Sequence, residues 1–166
     1  MKEPNIDIIN GSAPYKVKKG AHSLSYDFMT DYGVCFNISF LYDDTLLEHE
    51  AYQFVIANVN HKPSPNDPKV KYTVLAIIEQ FFIENNTILL YICETGDNRQ
   101  SLRSRLFDRW FSTYQHRKYF TFLSSTVRDE EGTDNYVSLI IRNDNPNYSE
   151  VISDYAGTIQ FFTNKP

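Results

Sequence analysis

Cysteine is scarce in this 166-residue chain. Cys35 and Cys93 stand alone without a Cys-x-x-Cys spacing, so neither a disulfide framework nor a zinc site is expected, and both read as buried thiols. Basic charge is not in excess either. Sixteen Lys and Arg against 21 Asp and Glu leave a formal net charge of -5, which gives no general pull toward nucleic acid or an anionic membrane. No run approaches the ~18 apolar residues of a membrane span. Met1-Lys2-Glu3-Pro4-Asn5 lacks the apolar stretch of a secretory signal, so a cytoplasmic location is expected.

Catalytic signatures are missing as well. GxSxG, Walker A and GxGxxG do not occur. His49-Glu50 begins like HExxH, but Gln53 stands where the second histidine belongs. His22, His61 and His116 are scattered without ligand spacing, so the sequence calls for no metal and no cofactor.

Large aromatic side chains, by contrast, are plentiful. Twelve tyrosines and 12 phenylalanines supply ample core material for a chain of one-domain length. Residues 1–24 are polar and weakly patterned and read as an N-terminal arm, with order expected from near Tyr26. Residues 25–166 read as a single α+β domain. Val34, Phe36, Ile38, Phe40 and Tyr42 alternate with polar residues behind the Asp31-Tyr32-Gly33 turn, which predicts a hairpin, and Tyr52, Phe54 and Ile56 alternate in a third strand.

Asn60 to Pro68 holds three prolines and must be a loop. It ends in Asp67 as N-cap and Pro68 at the first helical position, and helical spacing then runs from Val70 to Phe82. Thr87 to Cys93 is a continuous apolar run, expected as a central strand, with Asp97 and Gln100 capping a second helix behind it. Two strands around Arg128 to Asp134 and a terminal helix after Asn145-Pro146 complete the order β-β-β-α-β-α-β-β-α around a mixed sheet.

The second helix carries Arg99, Arg103, Arg105 and Arg109 among apolar residues. At about 100° per residue, Leu102, Leu106, Trp110, Tyr114, Phe107 and Phe111 spread over about 180°, read as the core face. Arg105 and Arg109 fall at its polar edge. Arg103 falls near its middle and Arg99 in the first turn, so both point toward the sheet, where an unpaired guanidinium is costly. Arg99 and Arg103, with Cys93 and Glu94 at the end of the preceding strand, are therefore expected to line a crevice for an anionic ligand. The leading functional expectation is a non-catalytic domain that binds an anionic small molecule or a protein partner, with neither membrane nor nucleic acid expected as a partner.

The element order also resembles the GNAT acyltransferases over about residues 26 to 142. That resemblance implies splayed parallel strands around acyl-CoA and a loop that presents backbone N-H groups to the pyrophosphate. Tyr114-Gln115-His116-Arg117-Lys118-Tyr119 is similar to the family's Tyr-x-x-x-Gly-Phe, which implies Tyr114 as the acid that protonates the leaving thiolate. Lys118 and Tyr119 replace the glycine and phenylalanine. The loop from His61 to Pro68 departs further, having no glycine, three residues without an N-H and an aspartate as cap, features that oppose a diphosphate.

The first part of the order resembles ribonuclease-H-like nucleases, which implies Asp27, Glu79 and Asp97 around Mg²⁺, although the final hairpin is foreign to that fold. Finally, Tyr26-Asp27-Phe28 with Tyr32-Gly33, Phe81-Phe82 with Tyr91-Ile92-Cys93, and Arg105-Leu106-Phe107 with Arg109-Trp110-Phe111 resemble an uncharacterised bacterial family, which implies no activity.

Overall fold

The computed structural model describes residues 2–44, 46–93 and 99–163. Its elements are α1 (Ile6–Ser12), β1 (Lys18–Lys19), β2 (Ser25–Met29), β3 (Cys35–Asp43), β4 (Ala51–Asn58), α2 (Pro68–Glu84), β5 (Ile88–Cys93), α3 (Gln100–Ser112), β6 (Phe120–Arg128), β7 (Asp134–Arg142) and α4 (Tyr148–Thr163). The fold is α+β, with seven strands in a mixed sheet ordered β1-β2-β3-β4-β5-β7-β6. No helix of the described residues is long and apolar enough to cross a membrane. The residues form two compact units, 1–41 with 54–86 and 42–53 with 87–166.

In the first unit β2 and β3 pair antiparallel, with Phe28 opposite Phe36 and Tyr26 opposite Ile38. Gly33 closes their turn at φ 76°, a left-handed conformation that glycine adopts without strain. Alternation buries Val34, Ile38 and Phe40, whereas Tyr42 at the strand's far end is exposed. Pro68 opens α2 and the Asp67 carboxylate accepts the Lys69 N-H at 3.0 Å, the expected cap. From α2, Phe81 stacks on Phe40 with centroids 4.2 Å apart.

The N-terminal segment is ordered, contrary to the expectation of an arm. Asn5 caps α1 through its side chain, and Asn10 holds both the N-H and the C=O of Val17. Ile9, Tyr15 and Val17 are buried. The Tyr15 hydroxyl donates to Asp67, and Lys2 and Asn85 exchange two hydrogen bonds. Three well-spaced apolar residues are enough to seat the segment, too few to form a visible period.

In the second unit β7 lies between β5 and β6, antiparallel to both. Leu90, Leu139 and Leu123 are in register, as are Leu89, Ile140 and Phe122. Successive side chains of a strand point to opposite faces, so these two rows belong to opposite sides. The first side carries an aliphatic core of Ile88, Leu90, Leu139 and Ile141 packed on Val151 and Tyr155 of α4. On the second side Phe107 of α3 stacks near Tyr91 at 4.3 Å, and Phe111 lies on Phe122 at 4.9 Å. Adjacent serines confirm the division. Ser124 donates to Asp108 of α3 at 3.3 Å, while Ser125 accepts from the Tyr155 hydroxyl of α4 at 2.8 Å.

α4 begins at Tyr148, later than the Asn145-Pro146 signal suggests, because Asn145 turns inward and accepts the Asn147 N-H. At the far end of the β6–β7 hairpin Asp129 accepts the N-H groups of Thr133 and Glu131. Those bonds, Thr133 foremost, hold its carboxyl below the usual range.

Candidate functional site

The predicted crevice is only partly in view. Glu94 and the expected cap Asp97 lie outside the described residues. The N-cap position of α3 is Arg99, whose side chain makes no capping bond. Arg99 is exposed and Arg103 half-buried. Cys93 is buried, and burial pushes its thiol up, against which a hydrogen bond from Tyr91 and the positive charge of Arg103 pull it down. Burial, the largest of these influences, favours the protonated thiol over the thiolate.

The rotation of α3 differs from the expected one. Of its described residues Ser104, Phe107 and Phe111 are buried, an arc of about 60° that leaves Arg103 outside its edge. Leu102 and Leu106, expected in the core, are 57% and 42% exposed. Ser104 is buried with the two phenylalanines, so the inner face lies on that side and the two leucines turn outward. They share the solvent face with Arg99, Arg105 and Arg109. The sole acid of the helix, Asp108, is held above the usual carboxylate range by burial, partly offset by its bond from Ser124.

Tyr114, the acid implied by the acyltransferase resemblance, is buried with its ring against Phe111 and Phe120. Asp27, implied as a metal ligand by the nuclease resemblance, accepts a hydrogen bond from Asn37 at 2.6 Å. Among the described residues no group of three His, Cys, Asp or Glu could hold a metal ion.

Spacing could not reveal a second feature of the same unit. Residues 46–49 run along α4 and enclose with it a groove of about 830 Å³. The Glu48 N-H donates to Asp154 at 2.7 Å, and the Thr158 hydroxyl donates to the Leu46 carbonyl at 3.3 Å. His49 places Nε2 3.2 Å from Glu150 and Nδ1 3.8 Å from Asp154. Both ring nitrogens therefore lie near carboxylates, and Nδ1, which is buried, makes no hydrogen bond. Glu48, Glu150 and Asp154 line the groove, with no Lys or Arg among the lining residues. Phe161 and Phe162 close its end and are 67% and 38% exposed. Chemically this is a place for cationic groups carried on an apolar frame.

No curated protein and no solved structure matches the chain. A sequence-family model matches residues 66–157, a span that takes in α2, β5, α3, the β6–β7 hairpin and α4 as far as Gly157. Through that match, which covers more than half its length, the chain belongs to the family of unknown function DUF6169.

Proposed function

We propose that this chain is a non-catalytic partner-binding domain that works through the solvent face of α3. The exposure of Leu102 and Leu106 between Arg99, Arg105 and Arg109 carries this reading. The leucines offer apolar surface whose covering contributes about 2 kcal/mol. The guanidinium groups offer donors that orient carboxylates. An acidic segment with apolar side chains fits both.

Calorimetric titration with two synthetic helical peptides of equal leucine content, one rich in glutamate and one in lysine, tests it. Selective binding of the glutamate peptide, weakened by salt and lost in Leu102→Ser/Leu106→Ser, is expected. Equal affinity for both peptides, or no heat at millimolar peptide, would sink the idea.

An acyltransferase is the second reading, favoured by an element order from β2 to β7 that matches the resemblance noted in the sequence. Against it, Asp67 already takes the Lys69 N-H and the Tyr15 hydroxyl at the start of α2, where a pyrophosphate would need those donors. Titration with acetyl-CoA decides it, since saturable binding below millimolar concentration is required.

A further inference from the structure

The α4 groove and the α3 face belong to the same unit, lie on opposite sides of its strands and carry opposite charge. α3 has four arginine positions counting its N-cap, against one acid. The groove has three carboxylates and no Lys or Arg. Each surface also exposes large apolar side chains, Leu102 and Leu106 on one and Phe161 and Phe162 on the other.

Their spacings also correspond. Along α4, Glu150, Asp154, Gly157 and Phe161 recur at helical intervals and line the groove. Asp154 to Phe161 is seven residues, about 10 Å along the axis. On α3, Arg109 to Leu102 is also seven residues, in the opposite direction. Two antiparallel helices would set Arg109 over the Glu150–Asp154 turn, Leu106 over Gly157 and Leu102 against Phe161. Gly157 is the position in that register without a side chain, and a Cβ built there meets nothing within 4 Å. It leaves a hole in the groove where a leucine could sit, in the manner of ridges packing into grooves.

We propose that the α4 groove receives the α3 face of a second copy of this chain, so that copies associate head to tail. The proposal rests on the α3 reading above and names its partner. Because the two surfaces differ and face opposite ways, the contact is heterologous and builds closed rings or open chains rather than a dimer of identical patches. Charge pairing makes the association weaken as salt rises.

The test is sedimentation and light scattering on the full chain with two variants at exposed positions, each checked for folding by circular dichroism. Gly157→Leu fills the hole and leaves α3 intact. Leu102→Ser/Leu106→Ser spoils α3 and leaves the groove intact. Wild type is expected to gain mass with concentration at low salt and to lose at least tenfold in affinity at 0.5 M salt. Each variant alone stays at the 19.4 kDa of one chain. An equimolar mixture of the two forms a one-to-one complex and nothing larger, since each supplies the surface the other lacks. Combining Arg109→Glu with Glu150→Arg in one chain restores the association that either change alone removes.

A wild type that stays monomeric overturns the proposal, as does a mixture that fails to complement. If such a monomer still binds the glutamate peptide through Leu102 and Leu106, the second copy is excluded while the α3 reading stands. If it binds neither, both fall. Binding of the lysine peptide to a monomeric wild type, lost in Gly157→Leu, assigns the groove to a different basic partner and overturns self-association.

Discussion

α3 and α4 cover opposite sides of the β5–β7–β6 strands, yet they do so by different means. α3 is anchored by rings, with Phe107 and Phe111 against Tyr91 and Phe122. α4 is anchored by aliphatic packing of Val151 on Leu90, Leu139 and Ile141, together with one tyrosine whose hydroxyl reaches both Ser125 and the Val137 carbonyl. Their outer faces differ as well, one basic and one acidic. The comparison teaches that both helices are held by few fully buried residues, Phe107 and Phe111 on one and Val151 and Tyr155 on the other, so rings on the α3 side suffice to leave two leucines outside.

If rings dominate the α3 side, Phe107→Ala should be the most damaging change, costing about 3–5 kcal/mol in urea unfolding. A loss under about 1 kcal/mol would break the comparison. Val151→Ala on the other side should cost about 2 kcal/mol, because Val151 is fully enclosed but smaller.

Tyr155→Phe should cost about 1 kcal/mol near neutral pH by removing a buried hydrogen-bonding group. It should also change the alkaline limb. Burial holds the Tyr155 phenol above its usual value, partly offset by the Ser125 bond. A raised folded pKa means that the folded chain keeps its proton after the unfolded chain has lost it. Stability from this group is therefore complete below about pH 10 and falls as pH rises beyond it. The wild-type curve should drop more steeply there than that of the Tyr155→Phe variant. Other buried tyrosines share that limb, Tyr26 being pushed up to about 12 chiefly by burial, so the difference between the two chains is the quantity to follow.

Asp108→Asn on the α3 side should have the smallest effect, a gain of up to about 0.5 kcal/mol at pH 7, discounted because the group is partly exposed. Its carboxyl is held above 3.8, so the folded chain binds a proton that the unfolded chain has released, and stability falls as pH rises through that window. The gain should disappear below about pH 4, and an increase there would contradict the burial argument.

Much of this architecture is legible in the residues. Proline after aspartate marks the start of α2 at Pro68, and alternation marks the β2–β3 and β6–β7 hairpins. The rotation of α3 is not legible, because its apolar residues spread over about half the helix circumference and nothing local says which edge the sheet takes. Three separated residues, Ile9, Tyr15 and Val17, hid the order of the N-terminal segment. The groove was the least visible feature, since His49 meets a glutamate 101 positions away. Its one local trace was Phe161-Phe162 near the end of α4, where an apolar period continues past what the strands can cover.

Gly157 has a consequence for anyone seeking a more robust version of this protein. Replacing a mid-helix glycine with alanine raises helix stability by about 1 kcal/mol, and open space at this position makes the change sterically harmless. A search guided by thermostability alone would choose it early. If the groove is an interface, that improvement in hardiness would come with poorer sociability, and the trade-off would show in assembly long before it showed in folding.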